Sequence, residues 1–329
     1  MTAISQSINI SESNLRPFDP RRDLNGVADL VEQCFADTLD ADGRRYIDQM
    51  RNVARYPTYL RWATLTNENT SAPLMGFVWE ESGRVVGNLS LIPFRLDRRC
   101  SFLIANVAVT PGYRRQGIAH TLTMTALKHC RQLGAYTVWL HVRQENAAAI
   151  RLYESLGFRE RARRTTWEST ERFGTNTGNG LTPTGISITR ATSKEWFQIR
   201  FWLEHNYPSE IRWHLPYDPS ALRVDLWGSL YRLIMDIELR LWVASYRQQW
   251  IGMLAWQPFQ SQADFLWFAS APENEDLAAR TLIPHLYRQV GNRRRFILDY
   301  PAVQAVRAFT DSGLHAYQTL IWMSVDLSR

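Results

Sequence analysis

An internal repeat constrains this chain more than any other feature of its sequence. The segment VVGNLSLIPF at 85–94 aligns with WIGMLAWQPF at 250–259, and the residues they share are all 165 positions apart. These pairs are Gly87/Gly252, Leu89/Leu254, Pro93/Pro258 and Phe94/Phe259. Further along, RQLG at 131–134 matches RQVG at 288–291 at a separation of 157, which small deletions in the second copy's loops explain. The sequence therefore predicts two tandem copies of one fold.

The segment between the two copies has the composition of a linker. FGTNTGNGLTPTG, at 173–185, is rich in Gly, Asn, Thr and Pro and shows no hydrophobic periodicity. We therefore predict a first domain at 1–172, a linker at 173–185 and a second domain at 186–329. A chain of 329 residues is long enough to bury a sizeable core in each domain.

Strand and helix patterns alternate within each copy, which predicts an α/β class with a mixed sheet. The first copy begins with the short strand LRPF and a helical region at 24–50. A hairpin turning at Glu81-Ser82-Gly83 and the strand FLIANVAVT follow. A helix ending at Gly134, the strand TVWLHV, a helix at 147–156 and a final strand at 159–169 complete the predicted unit.

Composition excludes several classes of protein. Lys+Arg 38 against Asp+Glu 32 gives a net charge of +6, which suits an anionic ligand but does not by itself indicate nucleic acid. The basic clusters at 159–164 and 292–296 are typical of solvated edges. Three cysteines have neither a disulfide framework nor metal-ligand spacing, and no signal peptide or membrane span is predicted. We expect a cytoplasmic protein without metal, nucleic-acid or membrane partners.

The loop TPGYRRQGIAHTL, at 110–122, is suited to bind an anion. A stripe of apolar or small residues follows it at helical spacing: Ile118, Leu122, Ala126 and Cys130. A helix therefore begins near Gly117, and its first N–H groups have no partner within the helix. Gly117 lets a ligand approach the main chain, and Arg114 and Arg115 add forked donors for phosphate oxygens. These features predict a diphosphate site.

Three segments of the first copy resemble the GNAT superfamily of N-acetyltransferases. Residues 114–119, RRQGIA, are similar to its Gln/Arg-x-x-Gly-x-Gly/Ala signature, and NVAVTPGY resembles the strand that enters that signature. NAAAIRLYESLGF, at 146–158, resembles the second hallmark, Asn-x-x-Ala-x-x-Leu-Tyr followed by Gly-Phe. The second copy shares only the fold pattern.

This resemblance implies two tandem GNAT-like domains and transfer of an acetyl group from acetyl-CoA to a primary amine by direct attack in a ternary complex. It also implies that the strand before the signature splays from its neighbour at a bulge. Tyr153 becomes the general acid, and Asn146 lies near the pantetheine arm. The coenzyme-binding residues implied by the resemblance are Val107, Ala108 and Val109 on the strand, Arg114, Arg115, Gln116, Gly117, Ile118 and Ala119 in the loop, and Asn146 and Tyr153 in the second hallmark.

The general base stays open at this point. His141 is a candidate, although a single histidine on a strand also commonly has a purely structural role. Asn106 lies on the relevant strand, but its side-chain amide cannot act as a base. Glu80 and Glu81 flank a hairpin turn. Three carboxylates in FADTLDADGRR either receive a cationic acceptor or cap helices: Asp37, Asp40 and Asp42. Tyr153 itself also fits a core tyrosine, since Ile150, Tyr153 and Leu156 have helical spacing.

The second copy lacks the features that make the first a candidate site. With GIAHTL at 117–122 aligned to LAARTL at 277–282, the loop RRQG falls on Asn274-Glu275-Asp276-Leu277, and Tyr153 falls on Phe309. We therefore predict that the second copy is catalytically silent. Two alternatives stay open: a non-catalytic CoA-binding or scaffold protein, and an acetyltransferase of protein N-termini or lysines. The sequence indicates neither the acceptor nor the oligomeric state.

Overall fold

The structure is a computed structural model and describes residues 14–39, 41–55, 75–169, 185–213, 222–225, 227, 230, 232–233, 238–258, 263–291 and 294–327. The chain divides into two compact units. The described residues of the first unit fall within Met1–Val142, Asn146–Arg159 and Met323–Arg329. Those of the second fall within Arg143–Glu145 and Glu160–Trp322.

The first unit has α-helices on a mixed sheet with the strand order β1-β2-β3-β4-β5. Neighbouring strands are antiparallel except β4 and β5, which are parallel. Its elements are β1 (Leu15–Pro17), α1 (Pro20–Phe35), α2 (Ala41–Arg55), β2 (Met75–Glu81), β3 (Arg84–Leu96), β4 (Arg99–Val109), α3 (Ile118–Gln132), β5 (Thr137–Arg143) and α4 (Ala147–Ser155).

The second unit repeats this plan. Its strand order is β12-β6-β11-β10-β9-β8-β7, and β10 and β11 form the parallel pair that corresponds to β4 and β5. Its elements are β6 (Arg159–Ser169), β7 (Ile186–Arg190), α5 (Trp196–Asn206), α6 (Ser209–Arg212), β8 (Arg240–Tyr246), β9 (Gln249–Gln257), β10 (Ala263–Ser270), α7 (Glu275–Val290), β11 (Arg295–Pro301), α8 (Val306–Asp311) and β12 (Leu314–Asp326).

Equivalent two-residue hairpins occur in the two units. β2 and β3 are joined by Ser82 and Gly83, with φ of 49° and 78°, and β8 and β9 by Arg247 and Gln248, with φ of 49° and 68°. Left-handed conformations at both central residues match the right-handed twist of antiparallel strands. The predicted turn at Glu81-Ser82-Gly83 is therefore confirmed, with Glu81 as the last residue of β2.

A glycine on the second strand of the equivalent hairpins, β3 and β9, lets a helix lie close to the sheet in each unit. A Cβ at Gly87 of β3 is placed 2.8 Å from Ile118 Cγ2, and a Cβ at Gly252 of β9 is placed 2.6 Å from Ala278 Cβ. Ile118 and Ala278 are aligned by the offset of 160 that relates the two copies in this region. The same close approach in both units supports the tandem repeat.

Replacement of either glycine with alanine is expected to lower the free energy of unfolding by about 1–3 kcal/mol, because the added methyl overlaps the helix that packs on the strand. Denaturant unfolding of Gly87→Ala and Gly252→Ala measures this loss. Gly112→Ala is the matched control, since a Cβ there meets no atom within 4 Å. Unchanged unfolding midpoints for both strand variants contradict the packing argument.

The strand at 159–169 is in a different unit from the one that we expected. It is a strand, as predicted, but it pairs with β11, with Glu168 opposite Ile297 and Arg164 opposite Pro301. Its contacts therefore place 160–169 in the second unit, while the described residues 323–327, which include the end of β12, belong to the first. The predicted ranges 1–172 and 186–329 follow the repeat rather than these contacts, and they stay predictions. The predicted linker at 173–185 lies outside the described residues except for Gly185.

None of the helices in the described part of the chain is long and apolar enough to span a bilayer.

Candidate active site

Strands β4 and β5 of the first unit separate partway along their length. They pair in parallel from Ser101 opposite Thr137 to Ile104 opposite Leu140, and the pairing ends there. On its other edge, β4 stays paired with β3 as far as Val109. The end of β4, including Val107, Ala108 and Val109, therefore has a main-chain edge that does not pair with β5, which an extended ligand can use as a strand.

A β-bulge lies at the point where the two strands separate. Asn88 of β3 faces Ala108 and Ser90 faces Ala105, so Asn106 and Val107 stand opposite a single residue of β3. Asn106 has a φ of 52°, a left-handed conformation that asparagine tolerates better than most residues. The Asn88 Nδ2 donates to the main-chain oxygen of Asn106 at 2.9 Å and holds the bulge. Such bulges re-aim side chains beside functional sites.

The bulge is linked to helix α2 by a tyrosine. Asn106 Nδ2 donates to Tyr46 Oη at 2.7 Å and makes a longer contact of 3.4 Å with Ser90 Oγ. Burial raises the pKa of Tyr46, so its hydroxyl stays protonated at neutral pH. The sequence analysis missed Tyr46. The only signal nearby was Asn88, a polar residue within an apolar strand, which is 1% exposed.

The loop after β4 ends in a helix N-terminus without a side-chain cap. It passes through a short 3₁₀ turn at Pro111–Tyr113, takes left-handed conformations at Arg115 (φ 65°) and Gly117 (φ 81°), and enters α3 at Ile118. The N-cap residue, Gly117, offers no side chain to the first turn of α3, which leaves N–H groups there to a ligand. Arg114 and Arg115 are both exposed. The predicted apolar stripe of this helix is buried: Ile118, Leu122, Ala126 and Cys130.

Helix α4 carries the two predicted residues of the second hallmark. Asn146 is its N-cap, with Oδ1 accepting from the N–H of Ala149 at 3.1 Å. Tyr153 is 6% exposed and packs edge-on against Phe158, with ring centroids 5.8 Å apart. Burial raises the pKa of Tyr153 to about 12, so the phenol keeps its proton at neutral pH, as a general acid must. Its hydroxyl has no hydrogen bond to any residue in the described part of the chain.

One candidate base lies beside the opening, and the glutamates are engaged elsewhere. His141 follows Leu140, the last β5 residue paired with β4, and is half-buried. Glu80 accepts from Arg16 at 2.7 Å and from Arg22 at 2.7 Å. The hydrogen bond from Arg16, more than any other contact, holds the pKa of Glu80 below its usual range. A carboxylate paired with two guanidinium groups is a poor general base.

The structure gives no support for the remaining acidic candidates as a general base beside the separated strands β4 and β5. Glu81 accepts a hydrogen bond from Asn14. Asp37 is exposed in a 3₁₀ turn at Ala36–Thr38. Asp40 and the side chain of Asp42 lie outside the described residues. Among the residues that the structure describes, no group of three or more His, Cys, Asp or Glu side chains could hold a metal ion.

The second unit shares two of these features with the first: β10 pairs with β11 only from Ala263 to Leu266, and helix α7 has no side-chain cap. It differs from the first in the others. Its strands β9 and β10 pair without a register shift from Gly252 to Gln257, so there is no bulge along that stretch. Helix α7 begins at Glu275, three residues before the position aligned with the start of α3. Glu275 accepts a hydrogen bond of 2.7 Å from the Tyr300 hydroxyl, and Phe309, aligned with Tyr153, is fully buried.

Comparison with known proteins identifies the family of this chain. The model of the Acetyltransferase (GNAT) family matches residues 37–158. The ribosomal protein bS18-alanine N-acetyltransferase of Escherichia coli K12 is 46% identical over 125 residues, which are 38% of this chain and 78% of that protein. A mycothiol acetyltransferase of Mycobacteroides abscessus is 34% identical over 94 residues, 29% of this chain and 28% of that protein.

A solved GCN5-related N-acetyltransferase from Sphaerobacter thermophilus shares the fold, with a TM-score of 0.57 and 14% identity over 95% of this chain and 96% of that one. The chain belongs to the GNAT family of acetyltransferases. It is therefore an acyltransferase of the N-acetyltransferase type, and enzymes of this family use acetyl-CoA as co-substrate.

Proposed function

We propose that the first unit of this chain binds acetyl-CoA and transfers the acetyl group to a primary amine by direct attack in a ternary complex. The observation that supports this most is the continuous path from the open edge of β4 to the uncapped N-terminus of α3. The extended pantetheine arm can pair with the open edge of β4, and the diphosphate can bind at the N-terminus of α3. Arg114 and Arg115 add positive charge beside the helix N-terminus.

Each predicted residue has a physical task in this proposal. When bound, acetyl-CoA supplies an activated acyl group whose carbonyl carbon accepts the amine while its sulfur leaves. The main chain of the segment Val107–Val109 orients the arm, and the N–H groups at 116–119 receive the diphosphate. Tyr153 gives its proton to the departing sulfur, and His141 takes a proton from the attacking amine. Asn146 contributes by capping α4, which carries Tyr153.

We also propose that the second unit binds no coenzyme. Support comes from the early start of α7, which places Glu275 and Asp276 in the first turn of the helix, at positions aligned with the loop of the first unit. A carboxylate that already lies near a helix N-terminus repels a phosphate and occupies the same dipole. Strands β9 and β10 pair without a bulge from Gly252 to Gln257, so this stretch has no counterpart of the bulge at Asn106. The cytoplasmic location stays a prediction.

The two similar proteins are named for different molecules. One is named for an alanine of a ribosomal protein and the other for mycothiol. The higher identity and greater coverage of the first favour the α-amine of a polypeptide as the acceptor of this chain. The direct test is the release of free CoA thiol, measured while acetyl-CoA is mixed with peptides and small amines. The proposal is contradicted if CoA thiol is released at the same rate without an amine. It is also contradicted if none of the peptides and small amines causes release.

The full chain is expected to bind one coenzyme A, because the helix of the second unit that corresponds to α3 carries Glu275 and Asp276 in its first turn, and because β9 and β10 pair without a bulge from Gly252 to Gln257. Isothermal titration calorimetry with coenzyme A gives the stoichiometry directly. An Arg114→Glu, Arg115→Glu variant is expected to lose this binding. The control, Glu275→Gln with Asp276→Asn, is expected to keep one site. Two sites per chain, or binding that survives the first variant, is inconsistent with our assignment.

A further inference from the structure

Two polar groups at the bulge have no partner among the described residues. Asn106 Nδ2 donates to Tyr46 Oη at 2.7 Å, so the tyrosine oxygen is an acceptor in that contact and its own hydrogen is left to donate. The Asn106 Oδ1 in turn receives no hydrogen bond from the described part of the chain. A hydrogen-bond donor and a hydrogen-bond acceptor without partners in the described part of the chain therefore lie on two side chains that are hydrogen-bonded to each other.

These two groups lie where β4 and β5 separate. Asn106 is two positions beyond Ile104, the last β4 residue paired with β5, and one position before Val107, the first residue that we expect to orient the acyl-bearing arm. Both groups are held in place. The main-chain oxygen of Asn106 accepts from Asn88, and α2 is anchored beside Tyr46 by Ile47, which is 1% exposed. Fixed polar groups at a reacting centre orient a substrate with little loss of entropy.

We propose that Tyr46 and Asn106 bind the α-amino amide unit of the acceptor, so that the enzyme selects the free N-terminus of a peptide over a simple alkylamine. The Tyr46 hydroxyl donates to the first carbonyl oxygen of the peptide, and Asn106 Oδ1 accepts an N–H of its terminal amine. This inference rests on the proposed acetyl transfer and names its substrate class and two residues that determine it.

The chemistry of the acceptor favours this assignment. An α-amino amide presents an amine N–H and a carbonyl oxygen separated by one tetrahedral carbon and the carbonyl carbon, which matches an adjacent acceptor and donor. A lysine side chain presents an amine with no carbonyl beside it. The side chains at the bulge are uncharged, so they recognise hydrogen-bonding groups rather than charge. An α-amine also has a pKa near 8, against about 10.4 for lysine, so more of it is uncharged and reactive at neutral pH.

Two matched acceptors separate recognition of the amide from recognition of the amine. A dipeptide amide beginning with alanine carries both groups, and isopropylamine keeps the branched carbon and the amine but lacks the carbonyl. The Tyr46→Phe variant of the full chain keeps the ring that packs beside α1. We expect its KM for the peptide to rise about 3- to 10-fold, the usual value of one neutral hydrogen bond, with little change in kcat. The kinetics with isopropylamine are expected to stay the same.

The Asn106→Gly variant tests the second residue. Glycine adopts the left-handed φ of 52° without strain, so the bulge is kept while the amide is removed. We expect a similar rise in KM for the peptide. The double variant is expected to add little to either single one, because the two side chains act as a unit. Thermal unfolding of each variant shows whether the fold is retained.

The outcomes distinguish this inference from the function on which it rests. A parent enzyme that releases no CoA with either acceptor contradicts the proposed acetyl transfer itself. A parent that acetylates the peptide while Tyr46→Phe has the same KM overturns the role of Tyr46 alone. An equal rise in KM for the peptide and for isopropylamine also overturns it, since that result indicates a general effect on the shape of the site.

Discussion

Tyr153→Phe is expected to lower kcat by about 10²- to 10⁴-fold, the usual contribution of a positioned general acid. The variant keeps the ring that packs against Phe158 and removes only the hydroxyl. Coenzyme affinity and the KM for the amine are therefore expected to stay close to those of the parent. Steady-state kinetics of thiol release, together with calorimetry for the coenzyme, measure both effects.

Tyr136→Phe serves as the matched control, since its ring lies under the guanidinium of Arg99 at 4.3 Å and has no part in the proposed chemistry. Its kcat is expected to equal that of the parent. Since burial raises the pKa of Tyr153 to about 12, the acid form persists as the pH rises and is lost only near that value. Equal kcat for Tyr153→Phe and the parent rules out the acid role and leaves Tyr153 as a core residue.

Gly117→Ala is expected to weaken coenzyme A binding by about 10- to 100-fold. A Cβ at this position crowds the main chain where we place the diphosphate, and the loss of one charge-assisted hydrogen bond has an effect of this size. The same change strains the backbone, because Gly117 has a φ of 81°, and lowers the free energy of unfolding by about 1–2 kcal/mol. Calorimetry with coenzyme A measures the affinity.

Gly134→Ala separates the two effects of that change. Gly134 has a φ of 70° and follows the same helix at its other end, and a Cβ added there meets no atom within 4 Å. The control is therefore expected to lose similar stability in a denaturant titration while keeping the affinity of the parent for the coenzyme. If both variants bind the coenzyme equally well, the loop at 114–119 is not its diphosphate site.

Sequence patterns predicted the local elements of the site because each depends on near neighbours. The spacing of Ile118, Leu122, Ala126 and Cys130 predicted both the helix and its buried face, and Gly117 marked its start. The separation of β4 from β5 followed from the resemblance to GNAT proteins rather than from periodicity. The roles of Tyr153, His141 and the loop residues stay predictions until they are tested by substitution.

Contacts between residues far apart in the chain could not be predicted from the sequence. Tyr46 and Asn106 are 60 positions apart, and nothing in the helical pattern at 24–50 marks Tyr46 as polar or functional. Glu80 shows the opposite case, because a carboxylate beside a turn looked available until its pairing with Arg16 and Arg22 was seen. Ion pairs of this kind depend on which helices and strands pack against each other in the folded protein.

By itself, the sequence determined the tandem repeat, the order of strands and helices, and the loop of the first copy that suits an anion, because periodicity, glycine positions and charge act over short distances. Only the tertiary structure decided that β6 lies in the second unit, that β4 bulges at Asn106, and that Tyr46 meets this bulge. The register of a strand and the partner of a side chain depend on packing between segments far apart in the chain, and no local pattern encodes that packing.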